Sequence, residues 1–158
     1  MRALDIRGLL RALDAEGVSY VLIGAVALAA HGPVRATADL DLVPDPAPEN
    51  LRRLGNALAA IDARLASDLD RAVDQELRTA LVRGRSLTLE TTFGGLDIVQ
   101  RVAGVPSFGE LAAEASTMKL LGVDVRVCGR SHLRKMKLAR GSHRDLADVE
   151  DLDAADGG

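Results

Sequence analysis

Two aspartates separated by one residue carry the clearest chemistry in this chain. They lie in Arg35-Ala36-Thr37-Ala38-Asp39-Leu40-Asp41-Leu42, where polar and apolar residues alternate. Alternate side chains of a strand share a face. Arg35, Thr37, Asp39 and Asp41 are therefore expected on one face, with Ala36, Ala38, Leu40 and Leu42 turned to the core. Aspartate is a poor strand former, so a pair of them needs a reason. Like charges on one face also repel unless a cation lies between them. Carboxylate oxygens suit Mg²⁺, which keeps its other positions for water or phosphate oxygens. The arginine and the hydroxyl beside them suit phosphate. The chemistry expected here is phosphoryl-type transfer.

A third carboxylate, Asp97, sits in Gly95-Leu96-Asp97-Ile98-Val99. A single charge in an apolar strand must be paired, bind metal or face solvent. Placed beside the first two, it would complete a triad able to hold two metal ions. Glu90, in Thr88-Leu89-Glu90-Thr91-Thr92, is the rival; the strongly apolar neighbours of Asp97 favour Asp97. Upstream, a strand ends at Gly24 and a small-residue helix follows. Glycine lets a ligand approach the backbone, and a helix start favours phosphate.

Around these residues the pattern predicts a helix over 4–16, a strand over 20–23, a helix over 25–30 and the aspartate strand over 34–43. Further helices are expected over 49–61 and 70–81. Strands are expected over 87–92 and 96–99, turning at Gly94-Gly95, and over 117–121 and 123–127, turning at Gly122. Two helices end the chain, over 132–140 and 143–153, with Ser131 and Ser142 as N-caps. The expected fold class is mixed α/β (α+β), a small sheet flanked by helices. One domain is expected over 1–153, with a frayed acidic and glycine-rich tail over 154–158.

Composition sets outer bounds. The chain has 158 residues and a net charge of −3, so no overall charge draws it to nucleic acid. The lone Cys128 excludes an internal disulfide and a cysteine zinc cage. No spacing of His31 or His143 resembles a zinc site. No signal peptide and no span long enough for a bilayer is expected, which points to a cytoplasmic protein without membrane contact. The aromatics are Tyr20, Phe93 and Phe108, too few for a platform of stacked bases.

Together, Gly24-Ala25, His31-Gly32, Arg35-x-Thr37-x-Asp39-x-Asp41 and the isolated Asp97 resemble the DNA-polymerase-β-type nucleotidyltransferase superfamily. The closer resemblance is to its small bacterial AbiEii-type branch and related uncharacterised nucleotidyltransferases. The tail is similar too, with Leu133 to Lys137 followed by Arg144-Asp145-Leu146-Ala147-Asp148-Val149. The resemblance runs from about Val18 to Leu152. It implies Mg²⁺ or Mn²⁺ held by Asp39, Asp41 and Asp97, with Asp97 also activating a hydroxyl. It implies an NTP substrate whose triphosphate lies on Gly24, Ala25 and the amides that follow. It further implies a toxin role with a protein antitoxin as partner, and the acceptor hydroxyl stays open between an RNA or tRNA end, a protein side chain and a small molecule. Many superfamily members carry serine after the glycine; here it is Ala25, which shifts affinity onto the backbone, Arg35 and Thr37. The alternative is a nucleotide- or partner-binding protein of the same fold without turnover; the three intact aspartates weigh against it.

Two readings stand for Lys137: a phosphate ligand, or a lysine snorkelling to the surface. Asp145 fits a capping box with Ser142, which leaves Asp148 as the site residue. The basic run Arg126, Arg130, Arg134, Lys135, Lys137, Arg140 and Arg144 is either a solvated face or a patch for an acidic partner such as tRNA.

Overall fold

A computed structural model describes residues 3–33 and 36–156. The first helix, α1 (Ile6–Ala15), opens where the Asp5 carboxylate accepts from the Gly8 amide at 2.9 Å. It buries Leu9, Leu10 and Leu13 completely. Strand β1 (Tyr20–Ile23) is buried along its length and passes directly into α2 (Gly24–Ala30). Strand β2 (Asp39–Pro44) carries the two aspartates half-buried, while Leu40 and Leu42 on its other face are fully buried.

β2 is shorter than expected. Its ladder begins at Asp39, because the Asp39 amide and carbonyl are both engaged by the Thr37 hydroxyl, at 3.3 and 3.1 Å. A side chain bonding to nearby backbone in this way competes with strand pairing. Thr37 therefore belongs to the approach to β2, and Arg35 lies outside the described residues.

α3 (Pro48–Ala60) starts on proline, which suits a first helical position. Its Asn50 fastens the preceding turn, donating to the carbonyls of Ser19 and Asp45 and accepting from the Ser19 amide. The next segment corrects the expectation of one helix over 70–81. It forms a hairpin, β3 (Arg64–Leu65) and β4 (Asp68–Ala72), and then α4 (Gln75–Val82). The Asp74 carboxylate caps the Leu77 amide at 2.9 Å, so the helix starts there. Pairing with the sheet holds residues 68–72 extended.

β5 (Leu87–Thr91) and β6 (Gly94–Ile98) are antiparallel neighbours. Their turn falls at Thr92-Phe93, fastened by the Thr91 hydroxyl, which donates to the Gly94 carbonyl and accepts from the Phe93 amide. Gly94 and Gly95 are strand residues, not the turn. A short helix, α5 (Phe108–Glu114), was not legible beforehand; Ser107 caps it. β7 (Ser116–Leu120) and β8 (Val123–Val127) form the last hairpin. α6 (Arg130–Arg140) begins at Gly129 with no side-chain cap, so Ser131 lies inside the helix and does not cap it. It ends at Gly141 (φ +67°), and α7 (His143–Asp156) follows. Ser142 does cap α7: its hydroxyl accepts from the Asp145 amide while Asp145 bonds back to it. α7 continues through Asp156, beyond the expected start of the tail.

Among the described residues there are seven helices and one mixed eight-stranded sheet, in the order β4-β3-β5-β6-β2-β1-β8-β7. This is the expected mixed α/β class. The pairs β2·β6 and β1·β8 are parallel and the rest antiparallel. The parallel pair β2·β6 matters most, because it sets segments more than fifty residues apart side by side.

Candidate active site

The register of β2 on β6 places Asp41 beside Asp97 and Asp39 beside Gly95. Neighbouring strands lie about 4.8 Å apart, so three carboxylates from two strands meet on one sheet face. Two glycines make room for them. A Cβ on Gly24 would fall 2.0 Å from the Asp41 Oδ2, and one on Gly95 would fall 1.8 Å from the Asp39 Oδ1. Gly24 also has φ +73°, a conformation natural to glycine. Each carboxylate therefore occupies the space a side chain would otherwise fill.

This crowding shows in the acidities. Burial, contact with the Asp97 carboxyl and the charges of Asp97 and Asp39 push Asp41 up to about 7, against the opposing pull of Lys137. Burial, followed by the Asp97 charge, raises Asp39 as well. The Oδ1 atom of Asp97 is buried without a hydrogen-bond partner.

Two cavities meet at these aspartates. The smaller, about 540 Å³, is polar: Gly24, Ala25, Thr37, Asp39, Asp41 and Asp97 face Lys137, Arg140 and Arg144 across it. The larger, about 760 Å³, extends from Asp41 and Asp97 past Thr88 and under α6, over the loop 102–105. Glu90 lines neither; it stands in the sheet opposite Gly95 and Arg64. The structure thus favours Asp97 over Glu90 as the third carboxylate.

Lys137 is 5 % exposed and points into the cleft, so it does not snorkel. Its Nζ lies 2.9 Å from the Asp148 Oδ2 and 3.8 Å from the Asp145 Oδ1. Asp148, expected to face nucleotide, lines neither cavity and reaches the cleft only through Lys137. Asp145 is fully buried. Burial alone would raise its pKa, but hydrogen bonds from Arg140 and Ser142 outweigh that and hold it below the usual carboxylate range. The Arg140 guanidinium grips it with two bonds, of 3.0 and 2.8 Å.

The basic run does not make one surface. Arg126 bonds to the Ser19 hydroxyl and stacks over Phe108. Arg130 donates to the carbonyls of Leu152 and His31, and Arg134 pairs with Asp153. Arg130 and Arg134 bind α6 to its neighbours, and Arg126 ties β8 to α5 and to the turn before β1. His31, in turn, contacts the Cys128 carbonyl at 2.8 Å. Sequence reasoning missed that Arg140 and Arg144 face the aspartates, because only the α6–α7 turn brings them there. It also missed the loop 102–105, which carries no periodic pattern.

Among the described residues, no three His, Cys, Asp or Glu side chains stand ready as a closed set of metal ligands. The donor set nonetheless fits a hard divalent cation. Three carboxylates share one mouth, two with raised proton affinity, and a buried oxygen lacks a partner. Nor is any helix among the described residues long and apolar enough to cross a membrane.

No protein-family model matches the chain, and no curated protein sequence does. Solved structures do. A candidate nucleotidyltransferase of Thermotoga maritima matches 92 % of this chain and 88 % of its own, at 14 % identity and TM-score 0.57. The antibiotic-resistance factor ANT(2'')-Ia matches 95 % of this chain and 81 % of its own, at 15 % identity and TM-score 0.62. An antigenic nucleotidyltransferase-like protein of Paracoccidioides brasiliensis matches 98 % and 78 %, at 17 % identity and TM-score 0.58. The chain has a nucleotidyltransferase fold.

Proposed function

We propose that this chain is a metal-dependent nucleotidyltransferase that moves the nucleoside monophosphate of an NTP onto a hydroxyl acceptor and releases pyrophosphate. One observation carries the reading: Asp39, Asp41 and Asp97 converge from β2 and β6 at the junction of two cavities, over space kept open by Gly24 and Gly95. A solvated strand face has no need of such a cradle.

Asp39, Asp41 and Asp97 are the residues to hold Mg²⁺ or Mn²⁺, which would neutralise triphosphate charge and ease deprotonation of the hydroxyl. The polar cavity suits the triphosphate. Gly24, Ala25 and Thr37 border it on one side, and Lys137, Arg140 and Arg144 oppose them where charge builds on the leaving pyrophosphate. Arg35 precedes this border in sequence and is assigned to phosphate on its type and position alone. Asp148 acts as a positioning residue, holding the Lys137 ammonium at the cavity wall. Asp97 accepts the proton of the acceptor hydroxyl. The freed oxygen bonds to the α-phosphorus, the α–β anhydride bond breaks, and pyrophosphate leaves with the electron pair.

The finer features rest on the order of motifs along the chain: the AbiEii-type branch, a cytoplasmic toxin with a protein antitoxin, and an RNA or tRNA acceptor. Against the RNA acceptor, Arg130 and Arg134 already bond within the fold.

The test is release of pyrophosphate from each NTP with Mg²⁺, in the presence of cellular RNA, protein and small-molecule fractions, with α-labelled NTP marking the product. Asp41→Ala should lower transfer by about 10³-fold or more. No turnover of any NTP with any fraction would overturn the reading.

A further inference from the structure

We infer that the acceptor is a compact, uncharged alcohol with an apolar body, seated in the larger cavity with its one reacting hydroxyl at Asp97. This rests on the reading of the aspartate cleft as the site of nucleotidyl transfer.

Asp97 borders both cavities, so a donor in the polar one and an acceptor in the other meet at its carboxylate. With Asp41 it is one of the two carboxylates that the cavities share, so a hydroxyl in the larger one lies beside the metal-binding edge. Away from that point the larger cavity is apolar, walled by Val102, Val105, Leu133, Met136 and Ala139. Of its two serine and threonine hydroxyls, that of Ser86 is already spent. It donates to the Gln100 carbonyl at 2.9 Å and accepts from the Gln100 amide at 2.8 Å. Thr88 alone is left on this wall. No aromatic ring lines the cavity, so a base would find no stacking partner.

A nucleobase, a sugar or a peptide backbone would set several donors and acceptors against the apolar part of this wall, where few side chains can pair with them, and each group left unpaired costs binding free energy. A polycation would find no acid besides Asp41 and Asp97. A polyanionic acceptor would compete with the triphosphate for Lys137 and Arg140, which border both cavities. An apolar body with one hydroxyl leaves nothing unpaired. The volume of about 760 Å³ suits a small organic molecule. The product is a phosphodiester of the alcohol and the nucleoside. The alcohol's oxygen joins the α-phosphorus, pyrophosphate departs, and the hydroxyl proton passes through Asp97 to solvent.

The experiment is calorimetric titration of the full chain with n-alkanols, from butanol to octanol, with Mg²⁺ present. Affinity should rise about fourfold per methylene until the cavity is filled. Ala139→Trp, which fills the cavity from α6, should weaken octanol binding by about tenfold or more while NTP affinity stays within about twofold. Val102→Trp, which enters the same cavity from the loop 102–105 and does not line the polar one, should act alike and covers the case in which the α6 variant does not fold. Alkanols that fail to bind the parent, or bind both variants as well as the parent, overturn the proposal. Loss of NTP affinity in step with octanol affinity also overturns it, because the nucleoside then occupies the cavity. With α-labelled NTP, labelling of a polycationic aminoglycoside or an oligoribonucleotide in preference to octanol overturns it too. Should the parent turn over no NTP, the nucleotidyltransferase reading fails, and the alkanol titrations still decide what the cavity takes.

Discussion

Asp41 and Asp97 stand side by side in the parallel pairing of β2 and β6, and the charge of Asp97 helps push the Asp41 carboxyl up to about 7. A carboxyl whose proton affinity is raised by neighbouring carboxylates stores repulsion that a cation relieves. Asp39→Asn combined with Asp41→Asn should therefore keep or raise the melting temperature without metal. It should also abolish the rise that Mg²⁺ or Mn²⁺ produces in the parent. Differential scanning fluorimetry with and without the ions reads both. A metal response unchanged in the double variant would move the metal site elsewhere.

Gly95 tests the cradle separately. Its Cβ would collide with the Asp39 carboxylate and would also fall 2.9 Å from the Ala38 carbonyl oxygen, so alanine displaces both the ligand and the backbone that leads into β2. Gly95→Ala should still fold, lose the metal-dependent rise in melting temperature and lower transfer by about 10²-fold, since a displaced ligand cannot complete the site. Circular dichroism beside the activity assay separates this from misfolding. Full activity in Gly95→Ala would show that Asp39 is not needed where it stands.

The choice between two carboxylates is equally testable. Asp97 opens onto both cavities, whereas Glu90 lines neither. Asp97→Asn should abolish most transfer, by about 10²-fold or more, and Glu90→Gln should leave it within about twofold. The reverse ranking would reassign the third carboxylate.

The aspartate strand could be read because its chemistry is local. Alternation put Asp39 and Asp41 on one face, and the apolar neighbours Leu96 and Ile98 marked Asp97 as an exception that needed a partner. What placed Asp97 beside Asp41 was a parallel pairing across more than fifty residues, which no local pattern encodes. Gly95 looked like a turn because glycine usually serves turns; the carboxylate that claims its missing side chain comes from another strand. The hairpin over 64–72 was lost to a helical reading because its edge strand is polar and is extended only by pairing. The Asp74 cap was a visible signal that went unused. Lys137 was ambiguous for a similar reason. Its burial depends on Asp148, one helix away.

Asp145 sets an acid limit on the fold. Hydrogen bonds from Arg140 and Ser142 hold its folded-state pKa below the ordinary carboxylate range. A depressed carboxyl contributes stability that is present above its unfolded value, about 3.9, and is lost as pH falls through the folded one. Asp145→Asn should cost about 2 kcal/mol at pH 7. The gap to the parent should narrow as pH drops below about 4. Urea melts from pH 7 to pH 3 test this. A gap that stays constant over that range would show that the ionised carboxylate is not what holds the α6–α7 turn.

The basic residues of α6 give the last prediction. Arg130 sends one hydrogen bond to Leu152 at 2.9 Å and another to His31 at 3.1 Å, joining α6 to the end of α7 and the end of α2. Charged hydrogen bonds of this kind to buried carbonyls contribute about 1.5–3 kcal/mol. Arg130→Ala should therefore lower stability by about that amount in urea unfolding. A surface made for RNA behaves otherwise. Neutralising one phosphate contact flattens the salt dependence of binding by about 0.7 in log–log slope for a single strand and leaves stability nearly unchanged. Filter binding of a single-stranded oligoribonucleotide over a salt series, run beside the unfolding curves, separates the two. Loss of stability with no salt-dependent binding to lose identifies Arg130 as a structural clasp. A stable Arg130→Ala with a flattened salt slope would return the basic run to the role of an RNA surface.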